Sequence, residues 1–258
     1  TPLVIGQHGG NFGMNTFAFQ EEHQIEIADR WISWGWADQK RSQITPVGNL
    51  KVMSDKKSCN PEGGALMVEL TMPRYSYHLY SVVVASQWLD YLDDQYSFLR
   101  ALPKILRKQV LLRLSPTDYG FDQIKRWKDN MPDIQLNYGH DNIRSLLRKS
   151  RLIISTYNAT TYLESLSWNI PTIIFWNPDH WELNEQTKPY FELLKQVGIF
   201  HDTPQSAAQH MIKVWDDVDS WWQSSPVQNT RIKFCKEYTH VPEKPIDTLQ
   251  VFFEDLVK

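Results

Sequence analysis

The chain has 258 residues, 41% of them hydrophobic and 22% charged, which suits one large domain or two unequal ones and excludes a disordered or fibrous protein. A formal net charge of -3 leaves no basic face of the kind nucleic-acid binders carry, so DNA and RNA are set aside as partners. No apolar stretch approaches the ~20 residues of a membrane span and no charged and apolar leader opens the chain, so the expectation is a soluble cytoplasmic protein without a transmembrane segment.

The opening Thr1-Pro2-Leu3-Val4-Ile5 lacks an initiator Met and enters a buried strand at once, which reads as a fragment of a longer protein. The strand runs into Gly6-Gln7-His8-Gly9-Gly10-Asn11-Phe12-Gly13, a turn whose glycines reach backbone angles closed to other residues. A helix is expected over 20–29, then a short aromatic strand, Trp31-Ile32-Ser33-Trp34-Gly35-Trp36. The run 54–64, rich in Lys, Pro and Gly, is the best linker, and it predicts a domain boundary near residue 58.

Beyond it, short apolar runs alternate with helix-period segments. Strands are expected at 65–70, 110–114, 134–136, 152–155 and 172–176, and helices at 87–102, 121–130, 142–149, 159–168 and 184–197. Such alternation predicts an α/β fold with a parallel sheet covered on both faces. Asp141, Ser86 and Asn158 stand where caps of three of these helices belong, and Thr203-Pro204 starts another. The last segment, 246–258, is an amphipathic helix with Leu249, Phe252, Phe253 and Leu256 on one face. The organisation expected is therefore 1–58, the end of an amino-terminal domain; 59–245, a nucleotide-binding domain; and 246–258, a terminal helix.

In a parallel sheet, ligands sit beyond the carboxyl ends of the strands, where a helix N-terminus offers free N–H groups to an anion. The turn after the 152–155 strand concentrates donors suited to phosphate: Ser155, Thr156, Asn158, Thr160 and Thr161. Glu164 lies on the first turns of the following helix, placed to accept from a ribose diol. Ordinary capping residues would give the same pattern. His8 follows another strand, and an imidazole there suits general acid or base work near neutral pH, with Gly9 and Gly10 permitting close backbone approach. A structural histidine is the alternative. Of the acidic residues on the next helix, Glu21, Glu22 and Glu26, Glu22 is the candidate to orient His8 or act on an acceptor hydroxyl; a solvated helix face explains them as well.

Arg74 and Ser115 occupy loops after the first two strands of the second domain and are candidates to neutralise or bind a diphosphate, with surface positions the alternative. Thr117 and Asp118 are weaker ones. The segment 177–185, with Asp179, His180, Glu182 and Glu185, reads as a cleft loop without an assigned role. Asp217-Val218-Asp219 has a metal-binding spacing but falls at a helix end, where solvated surface accounts for it. Cys59 and Cys235 belong to no metal-spaced cluster and suit a reducing compartment. No metal and no cofactor are expected.

The pattern Ile-Ile-Ser-Thr-Tyr-Asn-Ala-Thr-Thr-Tyr-Leu-Glu over 153–164, continued by Asn169-Ile170-Pro171-Thr172-Ile173, resembles the nucleotide-binding turn and helix of capsule and lipopolysaccharide transferases. The Gln-His-Gly-Gly-x-Phe-Gly turn, the acidic helix and Trp34-Gly35-Trp36 resemble a transferase family of bacterial O-antigen clusters, related to capsule Kdo transferases and CDP-polyol phosphotransferases. The resemblance spans roughly 6–200. It implies a GT-B-like fold, two Rossmann-like domains with the second binding a nucleotide-activated sugar, and a glycan or lipid-linked acceptor, with peripheral association at the inner face of the membrane. It also implies phosphate binding by the 155–161 turn and His8 at the reaction centre. Capsule Kdo transferases carry a His-Pro pair where this chain has Ser115-Pro116, a departure from their pattern, and a CMP-activated, Kdo-like ulosonic acid is one candidate donor. Polyol-phosphate transfer on the same fold and a non-catalytic carbohydrate-binding or assembly module stay open beside sugar transfer.

Overall fold

The computed structural model describes residues 1–50, 59–75 and 81–256. Residues 54–58 of the expected linker, and the boundary at 58, lie outside the described residues. Two parallel sheets, each flanked by helices, make up the fold.

The first sheet has the order β1-β2-β3, from β1 (Val4–Gly6), β2 (Arg30–Ser33) and β3 (Ile44–Pro46), with α1 (Glu21–Ile27) between β1 and β2. The second comprises β4 (Ala65–Val68), β5 (Val110–Arg113), β6 (Gln135–Asn137), β7 (Leu152–Ser155), β8 (Thr172–Phe175) and β9 (Phe200–His201). Its order is β6-β5-β4-β7-β8-β9 and every pairing is parallel. The central strands β4, β7 and β8 are buried at every position, which is why they read as unbroken apolar runs rather than alternating ones.

Helices connect the strands of the second sheet: α2 (Trp88–Ala101), the short α3 (Lys104–Arg107), α4 (Gln123–Asn130), α5 (Ile143–Lys149), α6 (Thr160–Ser167) and α7 (Lys188–Gln196). After β9 come α8 (Pro204–Val214), α9 (Val218–Trp222), α10 (Ser225–Tyr238) and α11 (Pro245–Leu256). Caps differ from the sequence reading in three places. Asn142, not Asp141, caps α5, accepting from the N–H groups of Arg144 and Ser145. Gln87 precedes α2 in place of Ser86, with no side-chain cap, and Ala159 in place of Asn158 precedes α6. Thr203 caps α8 with Pro204 in the first turn, as expected.

Strands β4, β5 and β6 step outward in one direction while β7, β8 and β9 step in the other, so the topological switch point lies between β4 and β7. The two units share one continuous core, in which Trp31, Trp34 and Trp36 of the first join the Trp176 and Tyr162 cluster of the second. Past α10 the chain returns to the first unit, where the His240 N–H donates to the Trp34 carbonyl at 2.7 Å and the Asn49 N–H to the His240 carbonyl at 2.6 Å.

Candidate functional site

Gln7 builds the amino-terminal turn. Its buried side chain accepts from the Trp34 N–H (2.9 Å) and Trp36 Nε1 (3.0 Å), and its amide donates to the Gly9 carbonyl (2.8 Å). A buried amide so fully satisfied fixes the path of the next residues. Gly13 closes the turn at φ 73, where a Cβ would lie 2.3 Å from the Trp36 ring. Gly10 makes the decisive contact. A Cβ there would lie 2.7 Å from the Ala159 carbonyl carbon and 2.8 Å from its oxygen, so this turn is seated against the start of α6 as only glycine permits.

The structure thus brings the two turns together beside the switch point. His8 is exposed and stacks edge-on over Phe12 at 4.7 Å, and Gly9 is half-buried. Thr160 and Thr161 are half-buried at the head of α6, whose N-terminus has no side-chain cap, and Thr161 bonds the Tyr157 hydroxyl at 2.8 Å. Uncapped N–H groups at that end carry partial positive charge.

The other residues of the turn face inward. Ser155 Oγ donates to the Tyr157 carbonyl, and Asn158 is held between Asn15 of the first unit (2.7 Å) and the Tyr162 hydroxyl (2.7 Å). Thr156 belongs to a relay: the Leu70 N–H donates to the Tyr91 hydroxyl (2.9 Å), which donates to Thr156 Oγ1 (2.6 Å), which donates to the Val68 carbonyl (2.8 Å). Ser155, Thr156 and Asn158 are each at most 1% exposed, so they shape the turn rather than present hydroxyl or amide groups at its surface.

Glu164 is buried, with Arg144 3.9 Å from its Oε1 and the Arg144 guanidinium 5.8 Å over the Trp168 ring. Tyr157 has its pKa raised by burial, partly offset by the Thr161 bond and by the charge of Arg113. Arg113 and Arg144 are cations that sequence reasoning missed; Arg113 ends β5 and Arg144 lies in the first turn of α5, and no local pattern marks either. Arg74 packs on the loop after β5, donating to the Gly120 carbonyl at 3.1 Å with its guanidinium 6.0 Å over Phe121. Ser115, half-buried at the end of β5, accepts from the Thr117 N–H, and its carbonyl accepts from Gln123 at 2.9 Å.

Glu22 is exposed and pairs with Arg41 at 2.6 Å. Its neighbour Glu21 instead meets the His8 turn, accepting from the Gly13 N–H at 2.8 Å, and burial raises its pKa to about 7. Glu69, at the carboxyl end of β4, is 3% exposed; Trp127 Nε1 donates to its Oε2 at 2.6 Å while Oε1 has no partner among the described residues. Burial pushes its pKa to about 8, against the Trp127 bond, with Asp118 adding to the rise. Among the described residues no group of three or more His, Cys, Asp or Glu could hold a metal ion, and no helix is long and apolar enough to cross a membrane.

The model of the LIC12162 family transferases matches residues 1–253. The chain belongs to that family. Comparison of the chain with curated proteins finds no match. Among solved structures it is similar to a variant of the wall teichoic acid polymerase TagF soaked with CDPG, at 15% identity and TM-score 0.42, covering 91% of this chain and 59% of that one. It is also similar to the spinosyn forosaminyltransferase SpnP, at 12% and 0.43, covering 88% and 50%. The third is WaaG, a glycosyltransferase involved in lipopolysaccharide biosynthesis, at 10% and 0.39, covering 90% and 66%. The chain therefore spans between half and two thirds of the length of each.

Proposed function

We propose that the second unit binds the nucleotide-activated donor of a GT-B-like, metal-independent transferase that moves a sugar onto a bacterial surface polysaccharide. The observation that carries this reading is the seating of Gly10 against Ala159, which sets the His8 turn beside the uncapped start of α6 at the switch point. A diphosphate at that end gains the N–H groups and the positive helix terminus, with Thr160 and Thr161 as the accessible hydroxyls and Arg113 and Arg144 as nearby cations. Glu164 would take the ribose. His8, exposed on a turn held by Gln7, would exchange the proton of the reacting hydroxyl or of the departing phosphate. Glu21, which holds Gly13, replaces Glu22 as the carboxylate that orients this turn. The domain limits 1–58, 59–245 and 246–258 belong to the same proposal.

A thermal-shift panel of CMP, CDP, UDP and GDP tests the donor site. One nucleotide should stabilise the protein, and Thr160→Val with Thr161→Val should weaken that stabilisation. No shift with any nucleotide would remove the donor-site reading. His8→Ala should preserve nucleotide binding and abolish transfer, assayed with sugar and polyol-phosphate donors side by side; transfer that survives makes His8 structural.

A further inference from the structure

A cavity of about 570 Å³ lies on the carboxyl edge of the second sheet, beyond β8 and β9 and closed on one side by Thr16 and Phe17 of the first unit. Its walls include Trp176, Trp181, Phe191 and Phe200, all at most 3% exposed and packed ring against ring. Phe17 differs from them. Its side chain is 47% exposed, yet its backbone is held at both ends, the N–H by Ser81 Oγ (3.0 Å) and the carbonyl by the Ser81 N–H (2.9 Å). Ser81 Oγ in turn donates to Glu182, and the Glu182 carbonyl accepts from the Thr16 N–H at 3.0 Å. An exposed phenyl ring on so constrained a backbone is a preformed wall.

Charge narrows what can enter. Glu182, Glu185, Glu192 and Asp202 line the cavity against Lys188, which pairs with Glu185. Asp202 is offset by Lys195. Four carboxylates thus stand against two lysines, an excess of negative charge, and a carboxylate only accepts hydrogen bonds. The matching ligand has an apolar face to lie on an aromatic ring, several hydroxyl donors at its edge and no negative charge. A pyranose ring has these properties.

We propose that this cavity is a saccharide subsite, for a sugar ring that is uncharged or carries an amino group. Adjacent strands lie about 5 Å apart, so the ends of β8 and β9 stand roughly 5–10 Å from the β7 turn. That interval is the reach of a sugar joined to a phosphate at α6, and equally of an acceptor ring brought up to it. The place of the subsite in a transfer reaction rests on the proposed function; its affinity for sugars does not.

The experiment is ligand-observed NMR with methyl glucoside, glucosamine and glucuronate on the wild type, Phe17→Ala and Glu192→Lys. Both substitutions fall on exposed side chains, and circular dichroism checks the fold of each. Methyl glucoside and glucosamine should bind the wild type and glucuronate should not, with Phe17→Ala about tenfold weaker, the loss of one stacking contact. Glu192→Lys should admit glucuronate. Glucosyl conjugates of CDP and UDP, each measured against its parent nucleotide, separate the two sources: an advantage of the conjugate that Phe17→Ala removes assigns the ring to the donor, and its absence beside retained binding of the free sugars assigns it to the acceptor. Glucuronate binding as well as methyl glucoside, indifference to Phe17→Ala, or no sugar binding by any probe would overturn the subsite, and nucleotide binding in the thermal-shift panel would still stand.

Discussion

Glu69→Gln isolates the cost of keeping a carboxyl group beneath the switch point. Glu69 is 3% exposed and its pKa is raised from 4.5 to about 8. Between those values the unfolded chain gives up this proton while the folded protein keeps it, so stability falls as pH rises, by about 1.4 kcal/mol per pH unit. Over the three and a half units between the two values the loss comes to about 5 kcal/mol, complete near pH 8 and absent below about pH 4.5. Glutamine keeps the bond from Trp127 and cannot titrate. Urea denaturation of both proteins in steps from pH 4.5 to 9 gives the difference, in which titrating groups that do not interact with Glu69 cancel. The wild type should lose about 5 kcal/mol relative to the variant across that range. A difference that stays flat with pH would refute the reasoning, because it would mean that the buried carboxyl ionises as freely folded as unfolded.

Gly10→Ala should cost about 1–3 kcal/mol in denaturant unfolding and weaken nucleotide binding, since its methyl group meets the Ala159 backbone rather than a side chain that can turn away. Asn158→Asp should destabilise by about 3 kcal/mol or more at neutral pH, because a buried charge replaces the amide that donates to Asn15; an unchanged unfolding midpoint would contradict the contact. Burial raises the Glu21 carboxyl to about pKa 7, and it holds Gly13 best when ionised. Transfer should therefore rise as pH passes through about 7, and Glu21→Gln should flatten that limb of the pH–rate profile.

The parallel sheet was legible because β4, β7 and β8 are buried runs, and β5 a short apolar one, with helical periods between them. Strands β3 and β9 were not: one is three residues ending in proline, the other two residues long, too short for any period to show. At the site, the donor-rich turn was readable, but the inward commitment of Thr156 and Asn158 was not. Their partners Tyr91, Val68 and Asn15 lie 65, 88 and 143 residues away in sequence, beyond any local pattern. Glu21 and Glu22 looked equivalent for the opposite reason. Adjacent helical positions differ by about 100° in direction, and only the packing of α1 decides which one meets the loop.

The return of the chain past α10 to Trp34 and Asn49 has a mechanical consequence. The chain leaves the first unit after Leu50 and is bonded to it again at His240, so the second unit is tied back to the first at its far end. On the other side the pair Asn15 and Asn158, the Thr16 N–H on the Glu182 carbonyl and the bonds between Phe17 and Ser81 tie the units again. Parting the units on that side would break these bonds together and uncover the core they share.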